Sequence, residues 1–328
     1  LTEVFHIHGT EGTWYAHASV GTLHVRPILD MRRDGAQKMR AIAEEAAALV
    51  KQYKGSYSGE HGDGLVRSEW IAPFFGPKLV AAFEEIKDVF DPKGLLNPGK
   101  IVRPSKQDDR SLFRFKPDYQ AQAPAPALDW SEWGGFDKAV EMCNNNGHCR
   151  KFDAGTMCPS YRVTRDEKHL TRGRANTLRL ALSGQIPGLA GSDALTSEVV
   201  REAMDLCVGC KGCKRDCPTG VDMAKMKVEF LQHYKAKHGH SLKDRLVAQL
   251  PDYAARAARL APLLNLRNRV PLLAALTEKL LGLSAQRSLP EWSRQHFFNT
   301  ALKTATREEV LAAELGVVLF VDTFNGYF

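Results

Sequence analysis

The sequence predicts an α+β chain: a mixed N-terminal domain with a short pair of strands, followed by an all-helical domain. Three observations predict it. Residues Thr13 to Leu29 alternate and carry β-formers, with a turn near Val20-Gly21-Thr22, which reads as a hairpin. The segments after it carry apolar residues at helical rather than strand spacing. Two groups of cysteines lie about fifty residues apart, and the stretch between them, including Leu178 to Leu182 and Val199 to Leu206, looks helical.

Taken in order, Asp34 caps a helix whose apolar positions Met39, Ile42, Ala46, Val50 and Tyr53 fall at helical spacing. A glycine-rich stretch follows, Gly59-Glu60-His61-Gly62-Asp63-Gly64. A helix from Pro77 is expected to turn Leu79, Val80, Phe83, Ile86 and Phe90 inward and to end at Asp91-Pro92. From Pro104 to Ala127 the chain becomes polar and rich in proline and alanine, the signature of a linker. Residues 1–104 therefore form the mixed domain, 105–129 a linker, and 130–240 a helical domain opened by Trp130. Residues 241–310 read as short amphipathic helices, broken by Pro251, Pro262 and Pro271. Packing against the helical domain accounts for them better than a place on a membrane surface. Residues 311–328 hold a buried parallel-strand pattern, Gly316 to Asp322, with nothing after it to form a sheet. The chain also opens without a methionine, at Leu1, so it reads as an internal piece of a longer protein.

The seven cysteines carry the chemistry. The second group runs Cys207-Val-Gly-Cys210-Lys-Gly-Cys213-Lys-Arg-Asp-Cys217-Pro218, the spacing that holds iron–sulfur cubanes in bacterial-type ferredoxins. Two-residue gaps let three thiolates converge on one cube, and the cysteine before the proline faces another cluster. Zinc ribbons use two well-separated pairs instead of four cysteines within eleven residues. The first group is incomplete: Cys143, Cys149 and Cys158-Pro159 occupy the first, third and fourth positions, and Asn146 stands at the second. Exchange of the C-P cysteines assigns Cys158, Cys207, Cys210 and Cys213 to one [4Fe–4S] cluster. Cys143, Cys149 and Cys217 then hold a second cluster, either [3Fe–4S] or a [4Fe–4S] completed by a ligand such as Asn146 or His148. One cluster plus unused cysteines is the plainer alternative. The helical stretch between the groups suits an all-helical two-cluster ferredoxin domain.

Composition narrows the remaining choices. A length of 328 residues allows two or three domains, and no apolar run approaches the ~18 residues of a membrane span. No cysteine lies outside the two groups, which argues against a disulfide framework and for a reducing compartment. The net charge of +7 comes without a basic stripe interleaved with aromatics, so nucleic acid is not an expected partner. Arg162, Arg165, Arg172, Arg174 and Arg179 crowd one segment. They read foremost as a solvated helix face, with a dock for an acidic partner or support for an anionic cluster as alternatives. His17, His24 and Glu60 are a ligand set suited to a divalent metal with open coordination positions. From spacing alone, structural or solvated histidines explain the pattern better, because eleven histidines make chance pairs common.

Three motifs in order, Trp14 to Val25, Gly59 to Gly64, and Asp91-Pro-Lys-Gly-Leu-Leu-Asn97-Pro-Gly-Lys-Ile101, resemble the C-terminal domain of FAD-linked D-2-hydroxyacid oxidases. The segment after them resembles the iron–sulfur subunit of glycolate oxidase, in which a cysteine-rich domain would follow the strand at Phe320 to Asp322. Together they resemble a fused bacterial FAD and iron–sulfur dehydrogenase acting on D-lactate or D-2-hydroxyglutarate. The resemblance implies that His17, His24 and Glu60 bind a divalent metal (zinc, manganese or iron). It implies His61 as the catalytic base and Asn97 close to the flavin. The sequence departs at Ser19-Val20, where many relatives have Gly-Asp, and at Arg26, where some carry Asn. Arg26 offers a two-pronged clamp for a substrate carboxylate. FAD is implied for the parent protein, whose FAD-binding domain would precede Leu1. A quinone or an electron-carrier protein is implied as acceptor, and the setting is cytoplasmic or peripheral to the inner membrane face. The rival reading is a non-catalytic electron-transfer module with a vestigial oxidase domain.

Overall fold

The computed structural model describes residues 1–59, 61–299, 306–312 and 319–328. The chain divides into two compact units, Leu1–Ala121 and Gln122–Phe328.

The first unit opens with helix α1 (Thr2–Ile7), then strands β1 (Gly12–His17) and β2 (Thr22–Pro27). The strands pair antiparallel, from Gly12 opposite Pro27 to His17 opposite Thr22, and are the one sheet among the described residues. Helix α2 (Gly35–Gln52) begins after Asp34, as its sequence predicts. It buries Ile42 with Val4 and Phe5, against Val25, Leu29 and Leu49. A neighbouring patch joins Ala43 and Ala47 to Trp70, Tyr57 and Phe74. Its buried stripe is thus rotated from the expected one, because small alanines let Trp70 approach closely, while Tyr53 is left exposed. Arg40 on α2 grips Glu69 with both guanidinium nitrogens at 3.0 and 2.8 Å, and reaches Asp108 at 2.8 Å. That pairing holds the Glu69 carboxyl below its ordinary range, against the opposing effect of burial.

Helix α3 (Pro77–Phe90) starts and ends where the prolines predict. Its expected inward face differs. Leu79, Ile86 and Phe90 are exposed, Phe90 by 81%, and only Val80 and Phe83 are half-buried. Helical periodicity identifies an apolar stripe but carries no information about what covers it.

The second unit is helical, with no strand among its described residues. Helices α4 (Pro159–Thr164), α5 (Thr171–Leu182), α6 (Glu198–Asp205), α7 (Gly212–Asp216) and α8 (Met223–His238) surround its core. That core holds Phe136, Leu170, Leu178, Met204, Met226 and Phe230 together with Cys143, Cys149, Cys158 and Cys213. The cysteines are therefore part of the packing and not appended to it.

Glu229 on α8 is fully buried. Its carboxylate accepts from the backbone amides of Ala127 (2.8 Å) and Leu128 (3.0 Å), from Trp130 Nε1 (2.9 Å), and bonds His233 Nε2 at 2.8 Å. Burial alone would raise its pKa, yet these hydrogen bonds win and hold it below the usual range. They fix the entry of the chain into the helical unit.

Further on, Leu250–Arg259 and Pro271–Leu281 are helices whose alanines, Ala254, Ala257, Ala258 and Ala274, are buried. Leu260, Leu263, Leu272 and Leu280 remain exposed. Of the expected terminal strand, residues 316–318 lie outside the described residues. Leu319 to Asp322 has no regular structure and leads into the helix Thr323–Tyr327. Among the described residues no helix is long and apolar enough to cross a membrane.

Candidate functional site

The hairpin register explains how two histidines seven positions apart reach one face. Tyr15 stands opposite His24, and His17 opposite Thr22. Opposed residues share a face, and so do residues two apart on one strand. The turn between the strands supplies the offset that simple alternation lacks. Tyr15 stacks on His24 with ring centroids 4.4 Å apart, and His17 meets His24 edge-on at 4.7 Å. His61 arrives from the glycine-rich loop, 5.6 Å from His24. Gly59 makes that approach possible, since a Cβ there would lie 2.7 Å from Thr22 Oγ1.

Arg26 faces Thr13 across the pair and so shares the histidine face. Its Nη2 donates to the Tyr15 hydroxyl at 2.6 Å, and the guanidinium lies 4.9 Å from the centre of the Tyr15 ring. His17, Tyr15, Arg26 and His61 are exposed and His24 is half-buried, so the face is open. Glu60, the expected third metal ligand, lies outside the described residues. Among the described residues no three His, Cys, Asp or Glu side chains close around a point suited to a single ion.

Asn97 sits on the loop after α3, with a left-handed φ of 46°. Its Oδ1 accepts from Lys100 Nζ at 3.3 Å. Asp91 opens this loop by accepting from the amides of Leu95 and Leu96 at 2.9 and 2.8 Å and from Lys87 at 2.7 Å. The Lys87 hydrogen bond, then the two amides, push its pKa down to about 2. A second feature went unread in the sequence: a hollow of about 320 Å³ lined by Tyr57, Asp63, Trp70, Phe74 and Phe75, beside the glycine-rich loop. Aromatics spread over nearly twenty positions give no local signal of convergence.

In the helical unit, Cys158, Cys207, Cys210 and Cys213 line one hollow of about 310 Å³, with Thr171, Arg174 and Met223. Cys158 comes from a separate loop almost fifty residues upstream and lines the same hollow as the other three. Cys158 adopts a left-handed φ of 51° just ahead of Pro159, and Lys211 does the same at 58°. Such backbone is costly for non-glycine residues and concentrates at ligand sites. Gly212 lets α7 press on the Thr156 segment, because a Cβ would meet Thr156 Oγ1 at 2.7 Å. The sulfurs receive hydrogen bonds suited to thiolates: Thr171 N to Cys158 Sγ at 3.0 Å, and Met223 N to Cys213 Sγ at 3.3 Å. All seven cysteines are free of disulfides.

The sequence comparisons agree with this geometry. Residues 1–101 match the family model of FAD linked oxidases, C-terminal domain, and residues 139–221 match that of the 4Fe-4S dicluster domain. The chain joins an FAD-linked oxidase C-terminal domain to a 4Fe–4S dicluster domain. Similar curated proteins include D-2-hydroxyglutarate dehydrogenase of Escherichia coli strain K12, 32% identical over 98% of this chain and 35% of that protein. The Haemophilus influenzae protein of the same name is 30% identical over 98% of the chain and 34% of its own length. D-lactate dehydrogenase of Archaeoglobus fulgidus is 35% identical over 29% of the chain and 21% of that protein. The chain thus spans about a third of the length of the relatives that cover nearly all of it. No solved structure matches.

In the dicluster domain, burial pushes the Cys149, Cys158 and Cys213 thiols up, with hydrogen bonds from Arg172, Thr171 and Met223 opposing it. Asn146 is exposed and uses both ends of its amide inside a tight turn: Oδ1 accepts from His148 N at 2.8 Å, and Nδ2 donates to Asn144 Oδ1 at 2.5 Å. The arginine segment departs from the solvated face expected of it. Arg174 and Arg179 are 2% and 8% exposed, and Arg174 lines the cysteine hollow. Composition places arginines on a helix without distinguishing its inner side from its outer one.

Proposed function

We propose that the chain is the substrate-facing and electron-transfer portion of a dehydrogenase, dependent on FAD and iron–sulfur clusters, that oxidises a D-2-hydroxy acid to its 2-oxo acid. One observation carries this reading: a histidine face and a four-cysteine hollow occur in one chain that aligns along 98% of its length with D-2-hydroxyglutarate dehydrogenases. The oxidation releases two electrons and two protons, so it needs a base, an electron acceptor and a grip on the carboxylate.

His61, beside His24 at an open face, is the base that takes the hydroxyl proton. Arg26 offers its remaining N–H groups to the substrate carboxylate, with Tyr15 fixing the guanidinium. His17 and His24, neighbours on one face, fit a shared divalent metal (zinc, manganese or iron) with Glu60 as third ligand, and that ion would orient hydroxyl and carboxylate. Asn97 faces the flavin. Cys158, Cys207, Cys210 and Cys213 hold a [4Fe–4S] cluster, and Cys143, Cys149 and Cys217 hold the second, a [3Fe–4S] cluster or a [4Fe–4S] cluster with a non-cysteine fourth ligand. FAD supplies the two-electron chemistry and the clusters the one-electron steps. A quinone or an electron-carrier protein receives the electrons, and the protein works in the cytoplasm or at the inner face of the membrane.

The test is anaerobic addition of D-lactate or D-2-hydroxyglutarate to the full-length protein while its flavin absorbance is followed. Bleaching by one of the two supports the reading. An unbleached flavin in protein with intact clusters, across a panel of D-2-hydroxy acids, leaves a non-catalytic electron-transfer module.

A further inference from the structure

Arg174 projects from α5 into the four-cysteine hollow and is 2% exposed. Its hydrogen-bond partners are neutral: Nε donates to Ala203 O at 2.7 Å, and Nη2 to Ser160 Oγ at 2.9 Å. No carboxylate pairs with it among the described residues. A buried cation left with two neutral acceptors is costly unless a counter-charge or a full set of acceptors answers it. Arg267 in the same unit shows the contrast. It is 7% exposed, but it donates to Thr277 Oγ1 and to the carbonyls of Leu283, Ser284 and Arg287, so the backbone saturates its fork. Arg174 has no such cage.

The groups that favour a charge on Arg174 are the cysteine sulfurs around it. Burial works against its protonated form, and Cys207, Cys158, Cys213 and Cys210 are the groups that favour it. Lys227 adds a second cation nearby, its Nζ donating to the Cys207 carbonyl at 2.6 Å. Around the other cysteine group the arrangement differs: Arg150 and Arg172 share Glu167, so a protein carboxylate already offsets part of their charge.

We propose that Arg174 is a positioning residue that acts as the built-in counter-charge of the cluster held by Cys158, Cys207, Cys210 and Cys213 and raises its reduction potential. This deepens the electron-transfer reading above and rests on its ligand assignment. Uptake of one electron, with no bond made or broken, leaves a thiolate-ligated cluster one charge more negative. A fixed cation beside it favours that form.

The experiment compares wild type, Arg174→Lys and Arg174→Met, each as the full chain with clusters reconstituted anaerobically. The clusters are titrated with dithionite, and the signal of each is followed by EPR. Removing the charge in Arg174→Met lowers the potential of this cluster by a tenfold or greater change in the reduced-to-oxidised ratio, about 59 mV for a one-electron couple. Arg174→Lys keeps most of the wild-type value, and the other cluster moves less in both. A Met variant that takes up no cluster at this site, beside a Lys variant that does, supports the proposal equally. Equal potentials in Met, Lys and wild type overturn it, and so does equal loss in both variants, which assigns the residue a role in shape and hydrogen bonding alone. Wild-type protein that binds no iron and sulfide would instead sink the underlying cluster assignment, an outcome read before any variant is compared.

Discussion

Replacing Glu229 with Gln tests the polar anchor of the helical unit. The carboxylate is fully buried, and each of its oxygens serves two partners: Oε1 meets Ala127 N and His233 Nε2, and Oε2 meets Leu128 N and Trp130 Nε1. Glutamine keeps the shape but has one acceptor oxygen; with that oxygen on Leu128 N and Trp130 Nε1, its NH2 faces the Ala127 amide and His233 Nε2, and since the imidazole can accept, one buried N–H is left without an acceptor. An unsatisfied buried donor costs about 1–3 kcal/mol, which is the loss expected here. Against the ~5–15 kcal/mol by which domains are stable, that is a large fraction. The assay is urea unfolding followed by tryptophan fluorescence, in which Trp130 reports on the site itself. The pH dependence gives an independent check. The folded carboxyl has a depressed pKa, so its stabilising contribution is present above the ordinary glutamate value of about 4.3 and is lost as pH falls through the lower folded value. Glu229→Gln should lack that acid-side loss. A change below about 1 kcal/mol, or an unchanged acid profile, would refute the reasoning.

Three further outcomes are expected. Cys210→Ser should remove the EPR signal of one [4Fe–4S] cluster while the other persists, and zinc in place of iron and sulfide would overturn the ligand assignment. Asn146, committed to its own turn, should leave the Cys143, Cys149 and Cys217 cluster short of a fourth ligand. Air-exposed wild type should then show a [3Fe–4S] signal, and Asn146→Cys should preserve the four-iron form, whereas two equally air-stable [4Fe–4S] clusters in wild type would contradict this. His24→Ala in the full-length enzyme should lower kcat by two or more orders of magnitude with FAD still bound, and unchanged kcat and KM would remove the histidine face from the chemistry.

The legible parts of this molecule are those encoded by local period or fixed spacing. The alternation around Tyr15 and Leu23 marks the hairpin, and Pro77 and Asp91-Pro92 bracket a helix. Cysteine spacing points to Cys207, Cys210 and Cys213, and Cys158 lines the same hollow from across the chain. What stayed hidden depends on tertiary context. Arg174 and Glu229 look like ordinary surface charges in the sequence, and only packing shows them to be buried. The stripe of α3 is plain in the sequence, yet Phe90 stands exposed because covering a stripe is the work of another surface. His17 and His24, seven positions apart, share a face only through the register that sets Tyr15 opposite His24, and spacing alone does not carry that register.

Ser68, 1% exposed, joins two segments that are far apart in the sequence. Its hydroxyl donates to the Gly64 carbonyl and accepts from the Ile101 amide at 2.8 Å. A hydroxyl has one proton, so the direction of this relay is set: the glycine-rich segment receives and the Asn97 loop gives. Moving either segment away from Ser68 breaks one of these hydrogen bonds, although Gly64 and Ile101 are themselves exposed. The segment that carries His61 and the segment that carries Asn97 therefore meet at a single oxygen atom, so a substitution that removes the Ser68 hydroxyl takes one hydrogen bond from each.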